Sequence, residues 1–571
     1  MTTRTLLLLL LAFLGLMIYV EWQSDYANPV PRPVESLPGA DQHSRVTDTA
    51  VDQDELPQLP DLPDLPGAAP TTTASELEPS PAEFRSNTRI EVETDLLIAQ
   101  IDPRGGVLTE LRLKRFPIRV DQPDQPFVLL DDELPALHIA MSGLVDADRR
   151  APNHTTQFRF DQQYYELARD AESVVVPLYW TGDDELEVVQ RWVFHRDDYL
   201  IEHQIEVLNG SEQPWRGSRY LRLQRTIGGS SNGMSFTNPE RISYNGAAVF
   251  SPEERFSKLP FDKFGEKPYL NTITGGWAGM VEHYFLSAWI PPADQPHEVT
   301  TRLLDRDSPN RYAVTLTSAT QLLAPGEQTR FDAQLFAGPK QQNRLAEITP
   351  GLDLTVDYGI FTVFSKPLFW LLDHIHTLVR NWGLAIILLT LLIKLAFYKL
   401  TQAQFRSMGK LRKLQPRIQQ LKERHGDDRQ KFGAEMMAIY KKEKVNPLGG
   451  CLPILVQIPI FIALYWVLLE SVELRQAGFL WVPDLSRPDP WFILPVVNGA
   501  FMIITQRLTP MVGMDPMQKK IMQWLPVAFA VMFAFFPAGL VLYWAANSGI
   551  SLAQQWTILR QIDAEEARAR S

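Results

Sequence analysis

Residues 383–400 read GLAIILLTLLIKLAFYKL, an apolar stretch with Lys394 near its middle. On insertion scales a lysine at the centre of a bilayer costs about 2.5 to 3.5 kcal/mol. At a rise of about 1.5 Å per residue, Lys394 lies roughly 16 Å along a helix that begins at Gly383, near the middle of a membrane. Lys399 lies near the far end, where a lysine side chain can extend to the interface. We therefore predict a transmembrane helix that carries a functional cation.

The overall composition of the chain averages over a polar half and an apolar half. The chain has 571 residues, a formal net charge of -12 and a mean hydropathy of -0.14. The negative charge argues against general nucleic-acid binding. Cys451 is the single cysteine, so no intramolecular disulfide forms, and we interpret it as a packing residue. His374 and His376 fall on different sides of a helix, and no G-x-x-x-x-G-K-[ST] motif occurs, so we expect neither metal nor cofactor.

The N-terminal region is predicted to hold an anchor and a linker. Arg4 precedes an apolar run at residues 6–20, and no small-residue cleavage site follows. Residues 1–22 are therefore predicted to remain as a transmembrane anchor. The basic residue before the run and the acidic residues after it favour a cytoplasmic N-terminus, which exports the chain that follows. Residues 23–87 are rich in proline and are predicted to be a disordered linker.

Residues 88–340 carry the alternation of a large antiparallel β domain, which we predict to be a sandwich. One run places alternate side chains on a single strand face, namely Ile201, His203, Ile205 and Val207. Residues 229–233 match G-x-S-x-G. A nucleophile elbow needs a helix after this motif, and none is indicated, so we interpret these residues as a glycine-rich loop.

Residues 341–382 are predicted to be a connector with an amphipathic helix that lies on the membrane surface. Between residues 362 and 380 the apolar side chains recur at helical spacing. They are Phe364, Leu368, Leu371, Leu372, Ile375 and Leu378. Ser365 and Pro367 suit the first turn of such a helix.

Residues 383–405 are predicted to form the second transmembrane helix, and residues 406–446 a cytoplasmic helical hairpin. The hairpin is basic, and its candidate docking residues are Arg412, Lys413, Arg417, Lys422, Lys441 and Lys442. An apolar seam runs along it, formed by Leu411, Leu414, Ile418 and Leu421 and continued by Phe432, Met436 and Tyr440. The charge has two interpretations: a solvated face that sets membrane topology, or a docking platform for the ribosome or for lipid.

Residues 447–558 are predicted to hold transmembrane helices three to six, followed by a cytoplasmic tail at 559–571. The apolar segments lie at 452–469, 491–504, 522–536 and 538–552. Several are shorter than the roughly 20 residues of a typical span, which predicts a locally thinned bilayer. The result is a six-helix membrane protein with both termini in the cytoplasm. Since no acidic residue lies deep in these segments, Lys394 is expected to be unpaired in a water-filled cavity.

Long stretches of this sequence resemble the YidC/Oxa/Alb family of membrane protein insertases. They are EMMAIYKKEKVNPLGGCLPILVQIPIFIALYWVLLESVELRQA at 435–477, DPMQKKIMQWLPV at 515–527 and FPAGLVLYW at 536–544. In the β domain the clearest similar stretch is GGWAGMVEHYFLSAWIPP at 275–292. The resemblance covers the whole architecture and fits the Gram-negative bacterial members that have a large periplasmic domain.

The resemblance implies a five-helix core around a hydrophilic groove, open to cytoplasm and lipid and closed externally. The groove residues that it implies are Lys394, Thr390, Gln506, Tyr543 and Trp544. The residues of the substrate slide or of the core are Gln457, Pro459, Tyr465 and Met532. In the family the groove cation is usually arginine, whose planar fork lysine lacks. Lys399 stands where the family leads us to expect proline, which predicts a straighter helix end.

The function that the resemblance implies is a non-enzymatic insertase and chaperone of the bacterial inner membrane, with its large domain in the periplasm. Such a protein inserts, folds and helps assemble integral membrane proteins, alone or with the Sec translocon. The implied partners are nascent membrane proteins, SecYEG and SecDF, the ribosome, signal recognition pathway components and the phospholipid bilayer, with no sequence-specific nucleic acid. The short C-terminal tail of mixed charge weakens the inference of a long basic ribosome-binding tail.

Two other classes of protein stay open. A lone intramembrane lysine would also suit a small-anion transporter or channel, although the core shows no repeated halves. The β domain would suit a membrane-anchored sugar-binding protein or enzyme, although fold analogy is weak support for a function.

Overall fold

The computed structural model describes residues 88–146, 151–227, 243–305, 310–425, 428–443, 452–508 and 516–570. The predicted anchor, the linker, Cys451 and the G-x-S-x-G stretch lie outside the described residues. The chain divides into two compact units, with the boundary between Asp357 and Tyr358. We call them the β unit and the helical unit.

The β unit consists of two sheets whose strands come from most of its length. The first ten strands are β1 (Ile90–Glu93), β2 (Leu97–Asp102), β3 (Val107–Arg119), β4 (Gln122–Leu130), β5 (His138–Asp146), β6 (Arg159–Phe160), β7 (Tyr164–Glu166), β8 (Ser173–Thr181), β9 (Leu186–His195) and β10 (Leu200–Asn209). The others are β11 (Trp215–Thr226), β12 (Gly246–Ser251), β13 (Arg255–Leu259), β14 (Leu270–Thr274), β15 (Trp277–Val281), β16 (Phe285–Ile290), β17 (Pro296–Asp305), β18 (Arg311–Ser318), β19 (Gln321–Leu323) and β20 (Gln328–Pro339). A short helix, α1 (Gln342–Ile348), follows them.

Among the described residues the sheets have eleven and nine strands. The order of the first is β14-β17-β18-β11-β5-β3-β2-β1-β7, with β19 beside β11 and β4 beside β3. The order of the second is β13-β12-β15-β16-β20-β10-β9-β8-β6. Neighbouring strands are antiparallel apart from β1 and β7, which pair in parallel. This is the β-sandwich region that the sequence predicts.

The alternation predicted for β10 is confirmed. Ile201, His203, Ile205 and Val207 are buried, while the side chains between them are half-buried. The strand pairs with β9 and β20 along its whole length, so a slip of one residue would turn this buried face outward. The core beneath contains fully buried tryptophans such as Trp192 and Trp289, whose ring centroids lie 6.0 Å apart.

The described α-helices of the helical unit begin at Thr362. They are α2 (Thr362–Val379), α3 (Trp382–Ala396), α4 (Tyr398–His425), α5 (Arg429–Lys442), α6 (Leu452–Glu470), α7 (Ile493–Leu508), α8 (Pro516–Phe533) and α9 (Ala538–Arg570). By length and hydropathy, no single helix among the described residues is long and apolar enough to cross a membrane. Trp382–Ala396 and Tyr398–Leu411 meet this criterion together, as a bent pair.

Helix α2 forms where the sequence predicts an amphipathic helix, and one of the predicted apolar side chains, Leu372, packs inside the unit. Ser365, Phe369 and Leu372 are its buried residues, whereas Phe364 is 49% and Leu378 82% exposed. The small Ser365 lets α2 approach α6 closely, and its hydroxyl donates to a carbonyl oxygen of that helix at 3.1 Å. Two of the predicted apolar side chains, Phe364 and Leu378, are therefore exposed on the surface of the unit.

The expectation of a straighter end to the opening helix is wrong. Helix α3 ends at Ala396, and the chain bends by 66° before α4. No proline is needed for this bend, because the backbone of Phe397 itself leaves helical geometry. The Phe397 amide still makes the last helical bond of α3, to the Ile393 carbonyl at 3.1 Å. The break falls where the apolar sequence of α3 gives way to the polar sequence of α4.

After the break, α4 and α5 pack against each other as a hairpin. Leu414, Ile418 and Tyr440 form a buried cluster between α4 and α5. Leu411, Phe432, Met436 and Ile439 pack against that cluster, so the predicted seam holds the two helices together. Asp428 caps α5, since its side chain accepts from the backbone amide of Lys431 at 3.0 Å.

Candidate functional site

Lys394 lies in the last turn of α3 and is 7% exposed. Its ammonium donates a hydrogen bond of 2.8 Å to the hydroxyl of Ser551 on α9. That hydroxyl in turn donates to the carbonyl oxygen of Asn547 at 2.7 Å. In the part of the chain that the structure describes, no carboxylate pairs with Lys394. The partner of the buried cation is thus a neutral hydroxyl.

Three polar residues of α9 connect it to neighbouring helices, and we call Asn547, Ser548 and Ser551 the polar ladder. The Asn547 side chain accepts from the Gln457 amide of α6 at 2.8 Å. The Ser548 hydroxyl donates to the fully buried Asn498 of α7 at 2.9 Å. With Ser551 bound to Lys394, the ladder joins α9 to α3, α6 and α7. Hydrogen bonds of this kind hold helices together where water is excluded.

A small cavity borders Lys394. It is lined by Ile393, Lys394, Phe397, Leu400, Thr401, Gln457 and Ile460. The cavity has a volume of ≈ 20 Å³. Since one water needs about 10 to 15 Å³, the cavity holds about one water. Among the described residues Lys394 thus has a hydroxyl as its partner and no carboxylate, and it lies beside a small cavity.

Three other predicted groove residues, Thr390, Gln506 and Tyr543, lie on α3, α7 and α9. Thr390 is buried and its hydroxyl donates to the Ile386 carbonyl of its own helix at 2.7 Å. Tyr543 is buried on α9. Gln506 of α7 donates to the Met522 carbonyl of α8, which links it to α8 and not to the ladder.

Trp544 forms part of an aromatic cluster between α6, α8 and α9. Its ring lies 4.6 Å from that of Phe461 and 5.2 Å from that of Phe533, measured between centroids. Its indole N–H is buried without a hydrogen-bond partner among the described groups. An unpaired buried donor of this kind costs free energy, which makes Trp544 a candidate contact for a passing polar group.

The residues predicted for the substrate slide or core lie on α6 and α8. Gln457 binds the ladder, as described, and Pro459 lies inside α6. Tyr465 is half-buried, with its ring 5.7 Å from that of Trp466. Met532 on α8 is exposed. The structure therefore connects Gln457 with Lys394 through Asn547 and Ser551, and places Met532 at the surface.

The candidate docking residues lie on the hairpin. Arg417 pairs with Glu443 at 2.8 Å, and both side chains are exposed. Lys441 and Lys442 are exposed in the last turn of α5. The remaining three, Arg412, Lys413 and Lys422, lie on α4 with side chains outside the described residues.

Residues 471–492, the connection between α6 and α7, pack across the end of the helices opposite the hairpin. Asp489 accepts from the Trp481 indole at 3.0 Å and from the Leu494 amide at 2.7 Å, which caps α7. The Arg487 carbonyl accepts from the first amide of α9 at 2.7 Å. At Gly383 an added Cβ would lie 2.2 Å from the Phe479 ring, so the connection also packs closely against α3. Our sequence interpretation missed this connection.

A hydroxyl, an imidazole and a carboxylate line up in the β unit. Ser287 Oγ lies 2.8 Å from His138 Nε2, and His138 Nδ1 lies 3.6 Å from Glu282. Burial lowers the pKa of His138. Burial alone would raise the pKa of Glu282, but Arg225 at 2.9 Å, together with His138 and Lys340, outweighs it and the pKa is lowered. Because Ser287 is fully buried, no substrate reaches this hydroxyl, and the group is a structural network.

A second buried cation, Arg219, lies in the β unit and is 3% exposed. Its guanidinium donates to Ser142 at 3.4 Å, to the His203 carbonyl at 3.2 Å and to the His203 ring. Burial lowers the pKa of Arg219 to about 9. Burial and the adjacent guanidinium together hold the pKa of His203 well below its ordinary value. Among the described residues, no group of His, Cys, Asp and Glu side chains could hold a metal ion.

Two family models cover both units. The model described as "YidC periplasmic domain" matches residues 89–371, and the one described as "60Kd inner membrane protein" matches residues 374–566. A membrane protein insertase YidC from Alkalilimnicola ehrlichii is 44% identical over 99% of this chain and 96% of its own length. Another from Thioalkalivibrio sulfidiphilus is 43% identical over 98% of each chain. A crystal structure of an active YidC insertase aligns at 18% identity with a TM-score of 0.39, over 82% of this chain and 92% of its own.

The two family models and the relatives above 40% identity define the class, which is that of bacterial membrane protein insertases. The chain belongs to the YidC family of membrane protein insertases. This confirms the family and the insertase function that the sequence implies, and the family is one of insertases and not of enzymes. The β unit corresponds to the periplasmic domain of the family.

Proposed function

We propose that this chain inserts nascent membrane proteins through a polar groove in the helical unit, where Lys394 attracts acidic segments. The observation that carries the proposal is the buried Lys394 ammonium, bonded to the neutral Ser551 beside a cavity. An ammonium has three N–H donors, and Ser551 takes one. The others are available to a carboxylate, whose charge makes it a stronger acceptor than a hydroxyl.

The closed end of the helical unit supports a groove that opens toward the hairpin. The connection of residues 471–492 binds the ends of α3, α7 and α9, which blocks passage on that side. A polar segment enters from the cytoplasm, on the hairpin side, and stops at Lys394. The thin, partly polar path lowers the cost of carrying backbone groups across hydrocarbon.

The hydrophobic part of the substrate leaves the groove sideways into lipid along α6 and α8. Helix α8 exposes Ile521, Trp524, Val531 and Met532 to its surroundings, and such side chains suit contact with lipid tails. The energy comes from partitioning of the substrate and from the membrane potential acting on its charges.

The topology that goes with this proposal has six transmembrane helices, five of them in the core, and both termini in the cytoplasm. The hairpin then faces the ribosome and the lipid surface with Lys441 and Lys442 exposed. Signal recognition components deliver the substrate, and the Sec translocon, SecYEG with SecDF, works beside the chain for some substrates.

Insertion into reconstituted vesicles tests the electrostatic role of Lys394. Two substrates that differ only in acidic or neutral residues of the translocated segment are compared. Lys394→Ala is expected to impair the acidic substrate, and Lys394→Arg to retain activity because the charge is kept. Equal insertion of the acidic substrate by Lys394→Ala and the unaltered chain would refute the proposal. Anion flux through vesicles without any nascent chain would favour a transporter instead.

A further inference from the structure

The Ser551 hydroxyl is held in one orientation. Its hydrogen is committed to the Asn547 carbonyl one turn earlier in α9, at 2.7 Å. Serine commonly makes such a bond to the carbonyl four residues before it in a helix. A lone pair of the oxygen therefore faces Lys394 Nζ at 2.8 Å. Ser551 is a fixed acceptor for the ammonium.

The support for this acceptor extends to α6. Asn547, whose carbonyl fixes Ser551, is itself held by the Gln457 amide at 2.8 Å. Lys394 and Gln457 both line the small cavity, whereas Ser551 does not. The hydroxyl that binds the ammonium is therefore not part of the cavity lining, and two ammonium donors make no hydrogen bond to it.

A lysine in this position needs such a restraint. Its four-carbon stem is flexible, and a lysine inside a membrane extends its charge toward the nearest water. Arginine would be less mobile for each hydrogen bond it forms, because its donors are fixed in a plane. A single hydroxyl acceptor beside the ammonium compensates for the rigid donor geometry that lysine lacks.

We propose that Ser551 is a positioning residue for Lys394: its hydroxyl holds the ammonium beside the cavity, ready to bind a carboxylate of the incoming segment. The proposal rests on the function proposed for Lys394 and goes beyond it. When the substrate carboxylate arrives, the ammonium binds it through the unused donors and keeps Ser551 as a neutral support.

Ser548 offers a matched control on the same helix. Its hydroxyl also makes a hydrogen bond between helices, to Asn498 at 2.9 Å, but its partner is on α7 and not on α3. Ser548→Ala therefore removes a bond of the same chemical kind without touching Lys394. A difference between the two alanine variants separates positioning of the cation from packing of α9.

The experiment uses the full chain in vesicles without a membrane potential, with the acidic and neutral substrates compared for each variant. Ser551→Ala is expected to lower the ratio of acidic to neutral insertion roughly fivefold, the worth of one ordinary hydrogen bond. Ser551→Thr keeps the hydroxyl and restores the ratio, and Ser548→Ala leaves it unchanged. In a Lys394→Ala background, Ser551→Ala has no further effect.

Several results would overturn this inference. Equal losses for both substrates, or the same loss in the Lys394→Ala background, would make Ser551 a packing residue. If Lys394→Ala lowers the ratio and Ser551→Ala does not, only the positioning role fails. If Lys394→Ala itself leaves the ratio unchanged, the guiding role of Lys394 fails too. Insertion is normalised to folded protein, and should Ser551→Ala not fold, Ser551→Cys, a weaker acceptor of similar size, takes its place.

Discussion

Arg219 in the β unit and Lys394 in the helical unit are both buried cations, and the two are held differently. Arg219 is enclosed in the β unit, where a hydroxyl, a carbonyl and an imidazole accept from its guanidinium. Lys394 in the helical unit has one hydroxyl partner and borders a cavity. Among the described residues neither cation forms an ion pair with a carboxylate, although the charge of Asp332 acts on Arg219. The two cations differ in how many of their N–H donors are bound by groups of the protein: three acceptors bind Arg219, and one binds Lys394.

This comparison separates a structural cation from a functional one. A buried charge whose donors are occupied by fixed groups contributes to stability, and its removal leaves those groups unsatisfied. A buried charge with unused donors next to an open space is available to a ligand.

The largest effect on stability is expected for Arg219→Ala. The change opens a cavity and leaves the His203 carbonyl and ring without their donor, so the β unit should lose about 2 to 4 kcal/mol. Denaturant unfolding followed by tryptophan fluorescence measures the loss, because Trp192 packs at 4.2 Å against the His203 ring. Arg330→Ala is the control, since this exposed arginine pairs with an exposed Asp332 and should matter little. A similar loss in both variants would remove the structural role of Arg219.

A smaller effect on the β unit is expected from acid. Burial, with Arg219 nearby, lowers the pKa of His297 to about 4. The unfolded state takes up a proton near pH 6.5 and the folded state does not, so stability is lost as the pH falls from about 6.5 to 4. At pH 5 the loss amounts to about 2 kcal/mol, since each pH unit in this window is worth about 1.4 kcal/mol.

His297→Gln tests the origin of this loss. The variant should unfold with a flatter dependence on pH between 7 and 5, although the buried His138 and His203 change stability in the same direction. Thermal unfolding at several pH values measures the slope. An unchanged slope in His297→Gln would show that other groups cause the acid sensitivity.

The smallest effect on stability is expected for Lys394→Met. Removing a buried charge that has no charged partner leaves little unsatisfied, so the helical unit should change by less than about 1 kcal/mol. Insertion of acidic substrates should nevertheless fall. A loss of stability as large as that of Arg219→Ala would mean that Lys394 is a structural cation as well.

Much of this architecture follows from local sequence pattern. The seam of Leu414, Ile418 and Tyr440 and the alternation in β10 each depend on side chains a few residues apart, so their spacing alone predicts the packing. The family motifs likewise lie in continuous stretches. The bend at Phe397 is different, because neither proline nor glycine marks it.

The partner of Lys394 could not be predicted for a related reason. Ser551 lies 157 residues away in the sequence, and a serine in an apolar helix is usually a packing residue. Only the packing of α9 against α3 brings the two side chains together. Asp489 gave a weak signal, since an aspartate a few residues before a helix is a frequent cap, yet its bond to Trp481 depends on the folded connection.

The central claim is that Lys394 acts through its charge, and reversing that charge tests it most directly. Lys394→Glu is compared with the unaltered chain in vesicles without a membrane potential, using substrates whose translocated segments carry either aspartates or lysines. The account predicts that Lys394→Glu inserts the aspartate substrate poorly and the lysine substrate better than the unaltered chain does. Loss of both substrates to the same extent would contradict it, because the residue would then matter for its shape and not for its charge.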